Sequence, residues 1–189
     1  MWFLIPILFA GYALKKSIAP KGVVVGNYVG APQSKDAIDA IALAKFRAVV
    51  RQSEGYRLDA YYDSLGILTV GIGHKVLSSD KLKFGDVITA ARAEALFAAD
   101  TKTAFAAAQK QALELNKYTA DFLVALSEVN YQLGTGWKNK FSNTWKYLKA
   151  GQYKNAISNL LNSAWHSQTP VRVKTFVAAI QSAYGSNIA

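Results

Sequence analysis

The chain has 189 residues, 51% apolar and 18% charged, which suits one packed domain with a short appendage and excludes a disordered chain. Twenty-two Lys and Arg against twelve Asp and Glu give a net charge of +10, which favours a polyanionic partner: nucleic acid, anionic lipid or a bacterial wall polymer. With no cysteine, disulfides, thiol nucleophiles and thiolate metal sites are excluded, and two histidines, His74 and His166, leave almost nothing for a His-based zinc site.

Met1 to Leu14, MWFLIPILFAGYAL, carries no charged side chain before Lys15 and Lys16. As a helix it spans about 21 Å, against the roughly 30 Å of a bilayer core. A signal peptide has an apolar stretch of this length, but its positive charge normally precedes that stretch. A core helix needs a polar face, which Trp2, Phe3, Ile5, Ile7, Leu8 and Phe9 do not leave. We read residues 1–16 as a membrane anchor or an uncleaved signal-like helix, with the lysines snorkelling. Residues 17–35 hold Pro20 and Pro32 among Gly and Ser and read as a linker.

Residues 36–189 form the globular part. Ala37 to Ser53 reads as a helix whose apolar face includes Ile38, Ile41, Ala42, Phe46, Val49 and Val50. RLDAYYD and ILTVGIGH alternate with period two around Ser64-Leu65-Gly66, predicting a hairpin of two strands. After Gly85 the pattern is helical. Thr89 is placed to cap a helix through Gln109, and Thr119 to cap another that runs to Leu133 and stops at Gly134. Shorter helices follow around Trp145 and Ala156. Thr169-Pro170 places a capping hydroxyl before a first-turn proline, opening a last helix that ends near Gly185. The class is α+β, mainly helical, with a small sheet-bearing lobe before a helical lobe.

Glu54 ends the first helix, Asp63 ends the first strand nine residues later, and Thr69 follows six beyond on the returning strand. Two carboxylates from different elements beside a hairpin suit glycoside hydrolysis, one protonated to donate to the leaving oxygen and one ionised. Glu54 serves as the acid if the lobe interface desolvates it. The bland alternative is a surface Glu paired with Arg51 or Arg57, and an Asp that merely opens a turn.

Glu54-Gly55-Tyr56-Arg57-Leu58, Tyr61-Tyr62-Asp63, Gly66 and Leu68-Thr69-Val70-Gly71-Ile72-Gly73-His74 resemble the active-site segment of phage-type lysozymes, the endolysin muramidases of glycoside hydrolase family 24. Two distant segments agree: Tyr131-Gln132-Leu133-Gly134, and Trp165-His166-Ser167-Gln168-Thr169-Pro170-Val171-Arg172. The resemblance covers about Phe46 to Tyr184 and implies a lysozyme-like two-lobed domain. It further implies Glu54 as general acid on the bond between N-acetylmuramic acid and N-acetylglucosamine, with Asp63 and Thr69 holding the attacking water in an inverting reaction.

By the same resemblance, His74, Lys75, Tyr131, Gln132, Thr144, Asn159 and Arg172 contact or organise the saccharide cleft. Tyr131 offers a stacking face, Arg172 a charge beside the acid, and Lys75 a charge for the muramyl carboxylate or stem peptide. For His74 a supporting role in the hairpin is weighed beside substrate contact. Ser53 stands where relatives commonly have an acid, and the stretch from His74 to Tyr131 is shorter than in the longest of them.

No metal or organic cofactor is implied. The expected partners are peptidoglycan and, through residues 1–16, a phage virion membrane or the host inner membrane, with a monomeric catalytic domain and no specific nucleic acid. A transglycosylase leaves Asp63 and Thr69 idle, and an amidase needs metal ligands this chain lacks. The rival from another class is a catalytically inactive wall-binding or structural virion protein on the same fold.

Overall fold

Ser34 opens the globular part by accepting a hydrogen bond from the Ala37 amide, and helix α1 runs Lys35–Ser53 behind it, two residues earlier than the periodicity indicated. The computed structural model describes residues 34–64 and 66–185, so the anchor reading of residues 1–16 and nearly all of the 17–35 linker lie outside the described residues. α1 buries Ala42, Phe46 and Val50, one residue per turn, against α3 (Ala120–Leu133).

The chain then forms a three-stranded antiparallel sheet in the order β1 (Arg57–Tyr62), β2 (Leu68–Gly71), β3 (His74–Lys75). Tyr61 faces Thr69 and Tyr62 faces Leu68 across the first hairpin, while Val70 faces His74 across the second. The returning segment is therefore two strands rather than one. Gly71 and Gly73, both at φ +68°, reverse it, a conformation open to glycine at no steric cost. Ala60, Val70, Ile88 and Ala93 make a small core of their own beneath this sheet.

Thr89 caps α2, which runs Ala90–Glu114, five residues past the expected end. α3 is capped by Thr119 and stops at Gly134. Five further helices follow: α4 (Trp137–Lys140), α5 (Ser142–Lys149), α6 (Tyr153–Leu161), α7 (Ala164–Gln168) and α8 (Pro170–Tyr184). Pro170 takes the first turn of α8, but the Thr169 hydroxyl does not cap it. That hydroxyl accepts from Gln132 Nε2 at 3.4 Å and donates to the Trp165 carbonyl at 3.3 Å.

The main core lies among these helices. Trp137 is fully buried, edge-on to Trp145 at 5.6 Å and to Phe176 at 5.8 Å. Its indole N–H donates to Gln111 Oε1 at 3.1 Å, and Gln111 exchanges amide hydrogen bonds with Asn130, so the polar atoms buried there are paired. Among the described residues no helix is long and apolar enough to cross a membrane, and no cluster of His, Asp or Glu is placed to hold a metal ion.

Candidate active site

Glu54 stands where α1 stops. Its amide still donates to the Val50 carbonyl at 2.9 Å, but its backbone has turned extended, so the side chain leaves the helix stack. Arg51 and Arg57, the local partners, are taken by Glu94 and Asp59. Glu54 Oε1 instead accepts from Arg172 Nη2 at 3.1 Å, from the first turn of α8 and 118 positions away. Each of the two side chains is 27% exposed, so the pair is partly buried. Arg172 organises the carboxylate with a charge-assisted hydrogen bond.

Gly73 backs directly onto this carboxylate. A Cβ at that position meets Glu54 Oε2 at 2.9 Å and Cδ at 3.3 Å, so the turn between β2 and β3 comes close only because no side chain intervenes. Tyr131 holds that turn in place. Its hydroxyl donates to the Ile72 carbonyl at 2.7 Å and its ring meets Phe46 edge-on at 6.0 Å. Burial pushes its phenol up, with Asp100 and Glu54 adding to the shift. The half-buried Tyr131 thus braces the turn against which the Glu54 carboxylate lies.

Asp63 follows directly on the end of β1, and Thr69 stands on β2 opposite Tyr61. The peptide groups of Ile67 set both side chains: its N–H donates to Asp63 Oδ1 at 2.8 Å, and its carbonyl accepts from Thr69 Oγ1 at 3.0 Å. Because the Thr69 proton is committed to Ile67, the outward capacity of its hydroxyl is as an acceptor. Asp63 and Thr69 therefore present acceptor oxygens from one hairpin.

The other candidates divide. His74 is buried, with Nδ1 2.7 Å from Asp100 Oδ2 and Nε2 3.1 Å from Asp80 Oδ2. The Asp100 hydrogen bond, aided by Asp80, holds its pKa above the ordinary value against desolvation. This histidine ties the sheet to α2 and to the Ser78–Asp80 turn through both ring nitrogens. Lys75 is exposed and pairs with Thr69 across the sheet.

Thr144 is fully buried and donates to Asn159 Oδ1 at 2.6 Å, so it positions half-buried Asn159 rather than offering its own hydroxyl to a ligand. Gln132 accepts from Trp165 Nε1 at 3.3 Å while its amide reaches Thr169, clamping the end of α3 to the chain before α8.

Several functional neighbours carry no local sequence signal. Asp80 and Asp100 are two of these, and the Ile67 peptide another. Glu128, on α3, lines a small cavity together with Gln132, Trp165 and Arg172. Burial pushes the Glu128 carboxyl up, against the pull of Arg172. A signal for Gly73 was present in the Gly-Ile-Gly that follows a strand. A separate apolar groove of about 390 Å³ between α1, α3 and α8 contains none of the candidate residues.

A family model described as phage lysozyme matches residues 51–178, more than half of the chain, and that span contains every candidate residue. The chain belongs to the phage lysozyme family. Among curated relatives it is 32% identical over 132 residues to peptidoglycan hydrolase gp36 of Pseudomonas phage phiKMV, an alignment spanning 70% of this chain but 14% of that protein. It is 22% identical over 162 residues to probable T4-type lysozyme 2 of Dictyostelium discoideum, covering 74% of this chain and 95% of the relative. The corresponding figures for probable T4-type lysozyme 1 of the same organism are 24%, 74% and 95%. The lysozyme-family likeness thus spans nearly whole relatives in one case and a small part of a much larger one in the other.

Proposed function

We propose that the protein hydrolyses peptidoglycan, cleaving the β-1,4 bond between N-acetylmuramic acid and N-acetylglucosamine with inversion. What supports this reading is a phage lysozyme domain in which Arg172 of α8 holds the Glu54 carboxylate at the end of α1, and the Ile67 peptide fixes the Asp63 and Thr69 oxygens on the β1–β2 hairpin.

Glu54 protonates the glycosidic oxygen as the C–O bond breaks, and Arg172 fixes its orientation. Asp63 and Thr69 accept hydrogen bonds from a water molecule, turning its lone pair toward the opposite face of the sugar, and Asp63 takes the proton that water loses. Asn159, positioned by Thr144, and Lys75 bind the chain of sugars and peptides around the bond. Met1 to Leu14, uninterrupted by charge and followed by two lysines, anchors the enzyme at a virion or host inner membrane in the same proposal. Membrane fractionation of the full chain and of a form lacking residues 1–16 tests that part.

The test of the chemistry is clearing of purified sacculi by the full chain beside Glu54→Gln, Asp63→Asn and Thr69→Val, each checked for folding by thermal unfolding. The proposal expects loss of about 100-fold or more in the first two and a smaller loss in the third. A folded wild type that binds sacculi without releasing sugars makes the domain an attachment module instead.

A further inference from the structure

The charge of the chain is unevenly distributed. All twelve acidic residues occur at or before Glu128, and the 61 residues from Val129 onward carry seven basic residues and no acid. From Ser34 to Glu128 the signs balance at twelve each, and Lys15, Lys16 and Lys21 supply the remaining excess. The helices that follow α3 therefore hold most of the net charge, and nothing within them neutralises it.

Two of the seven basic residues reach back for partners. Lys138 pairs with Glu114 at 2.9 Å and Arg172 with Glu54 at 3.1 Å. Lys140, Lys146, Lys149, Lys154 and Lys174 are exposed and have no acidic partner among the described residues. The first four lie on α4, α5 and α6, which pack in succession. α5 turns Thr144, Trp145 and Leu148 inward, which leaves Lys146 and Lys149 as neighbours on its outer side. Like charges at that spacing repel, and the fold sets no carboxylate between them.

We infer that the outer face of α4, α5 and α6, bearing Lys140, Lys146, Lys149 and Lys154, is a contact surface for the carboxylate-bearing peptide stems of peptidoglycan, outside the catalytic cleft. This rests on the proposed substrate and deepens it. α6 also carries Asn159, positioned by Thr144 of α5, so a glycan strand held by Asn159 runs alongside helices whose free sides are cationic. A lipid surface is disfavoured because the lysine-bearing helices expose little to insert: among the large hydrophobics of α4–α6, only Leu161 is exposed, at 37%. The surface retains the polymer between turnovers by charge alone, and salt screens it.

The test uses the full chain carrying Glu54→Gln, so that sacculi are not degraded, with and without Lys140→Gln, Lys146→Gln, Lys149→Gln and Lys154→Gln together. Co-sedimentation with purified sacculi at low salt is expected to weaken roughly tenfold in the quadruple variant, and the difference to vanish near half-molar salt. Amidating the wall carboxylates beforehand should erase the difference as well. With Glu54 intact, the quadruple variant should cleave a short soluble glycan within twofold of the parent rate.

Equal sedimentation of the two forms at every salt concentration overturns the inference. Equal or tighter lysine-dependent binding to phosphatidylglycerol vesicles overturns it in favour of a membrane contact. Lysine-dependent binding to sacculi by a protein with intact Glu54 that releases no sugar would sink the hydrolase reading while leaving this surface in place.

Discussion

Replacing Gly73 by Ala is the sharpest perturbation of the acid that leaves the acid itself in place. The new Cβ lies 2.9 Å from Glu54 Oε2 and 3.2 Å from its Cγ, against the roughly 3.5–4.0 Å of an unstrained contact, so the carboxylate must retreat by about 0.5–1 Å. That retreat lengthens its 3.1 Å hydrogen bond to Arg172 unless the guanidinium follows it. Misplacing a catalytic group by about 1 Å reduces turnover by as much as ~100-fold, so a loss of roughly 10- to 100-fold is expected. The positive φ of +68° adds backbone strain of about 1 kcal/mol, or a melting temperature lower by about 2–4 °C. Gly85→Ala is the matched control, because φ there is +84° and nothing lies within 4 Å of the added carbon. Sacculus clearing and thermal unfolding, measured on both variants, separate strain from displacement. Equal activity of the two, at equal stability, would refute the idea that Gly73 seats Glu54.

Three further outcomes follow from the packing. The folded-state pKa of His74 is raised, chiefly by Asp100, so the stability it brings is fully present below its ordinary value of about 6.5 and is lost as pH rises through the folded value. His74→Gln should therefore destabilise by about 1.5–3 kcal/mol at pH 5.5 and by less at pH 9, and calorimetry showing the same deficit at both would contradict the account. The Glu128 carboxyl is raised as well, but by burial, so stability again falls as pH rises from its ordinary value through the folded one, here because ionising the buried acid costs the fold. Glu128→Gln should stabilise at pH 7 by up to about 1 kcal/mol and have no effect near pH 4, which pH-dependent urea melts can check. Trp137→Ala removes a fully buried ring and one of the two hydrogen bonds that Gln111 Oε1 accepts, and should lower stability by about 3–5 kcal/mol in denaturant titration.

Helix ends and the first hairpin were legible because their causes are local. Thr89, Thr119 and Gly134 cap within a few residues of where they act, and Tyr61 and Thr69 alternate in step with their strands. The second turn was missed because Gly71-Ile72-Gly73 preserves the apolar alternation while its positive φ values break the strand. α4 and α7, at four and five residues, are too short to show a period.

The site was legible as residue types and spacing, but not as partners. Glu54 meets Arg172 rather than the adjacent Arg51 and Arg57 only because the fold brings the Arg172 side chain, 118 positions away, to the end of α1. His74 finds Asp100 across 26 positions for the same kind of reason. The Thr169 hydroxyl looked like a cap, yet tertiary packing gives it to Gln132 and Trp165.

The central claim is that Glu54 and the Asp63–Thr69 pair direct water to the muramyl carbon of peptidoglycan. The most direct measurement is digestion of purified sacculi by the full chain in ¹⁸O-labelled water, followed by mass spectrometry of the released fragments. The account predicts one ¹⁸O at the reducing N-acetylmuramic acid of each new end, absent with Glu54→Gln and with Asp63→Asn. Label on N-acetylglucosamine ends, or unlabelled anhydro-muramic ends, would contradict it.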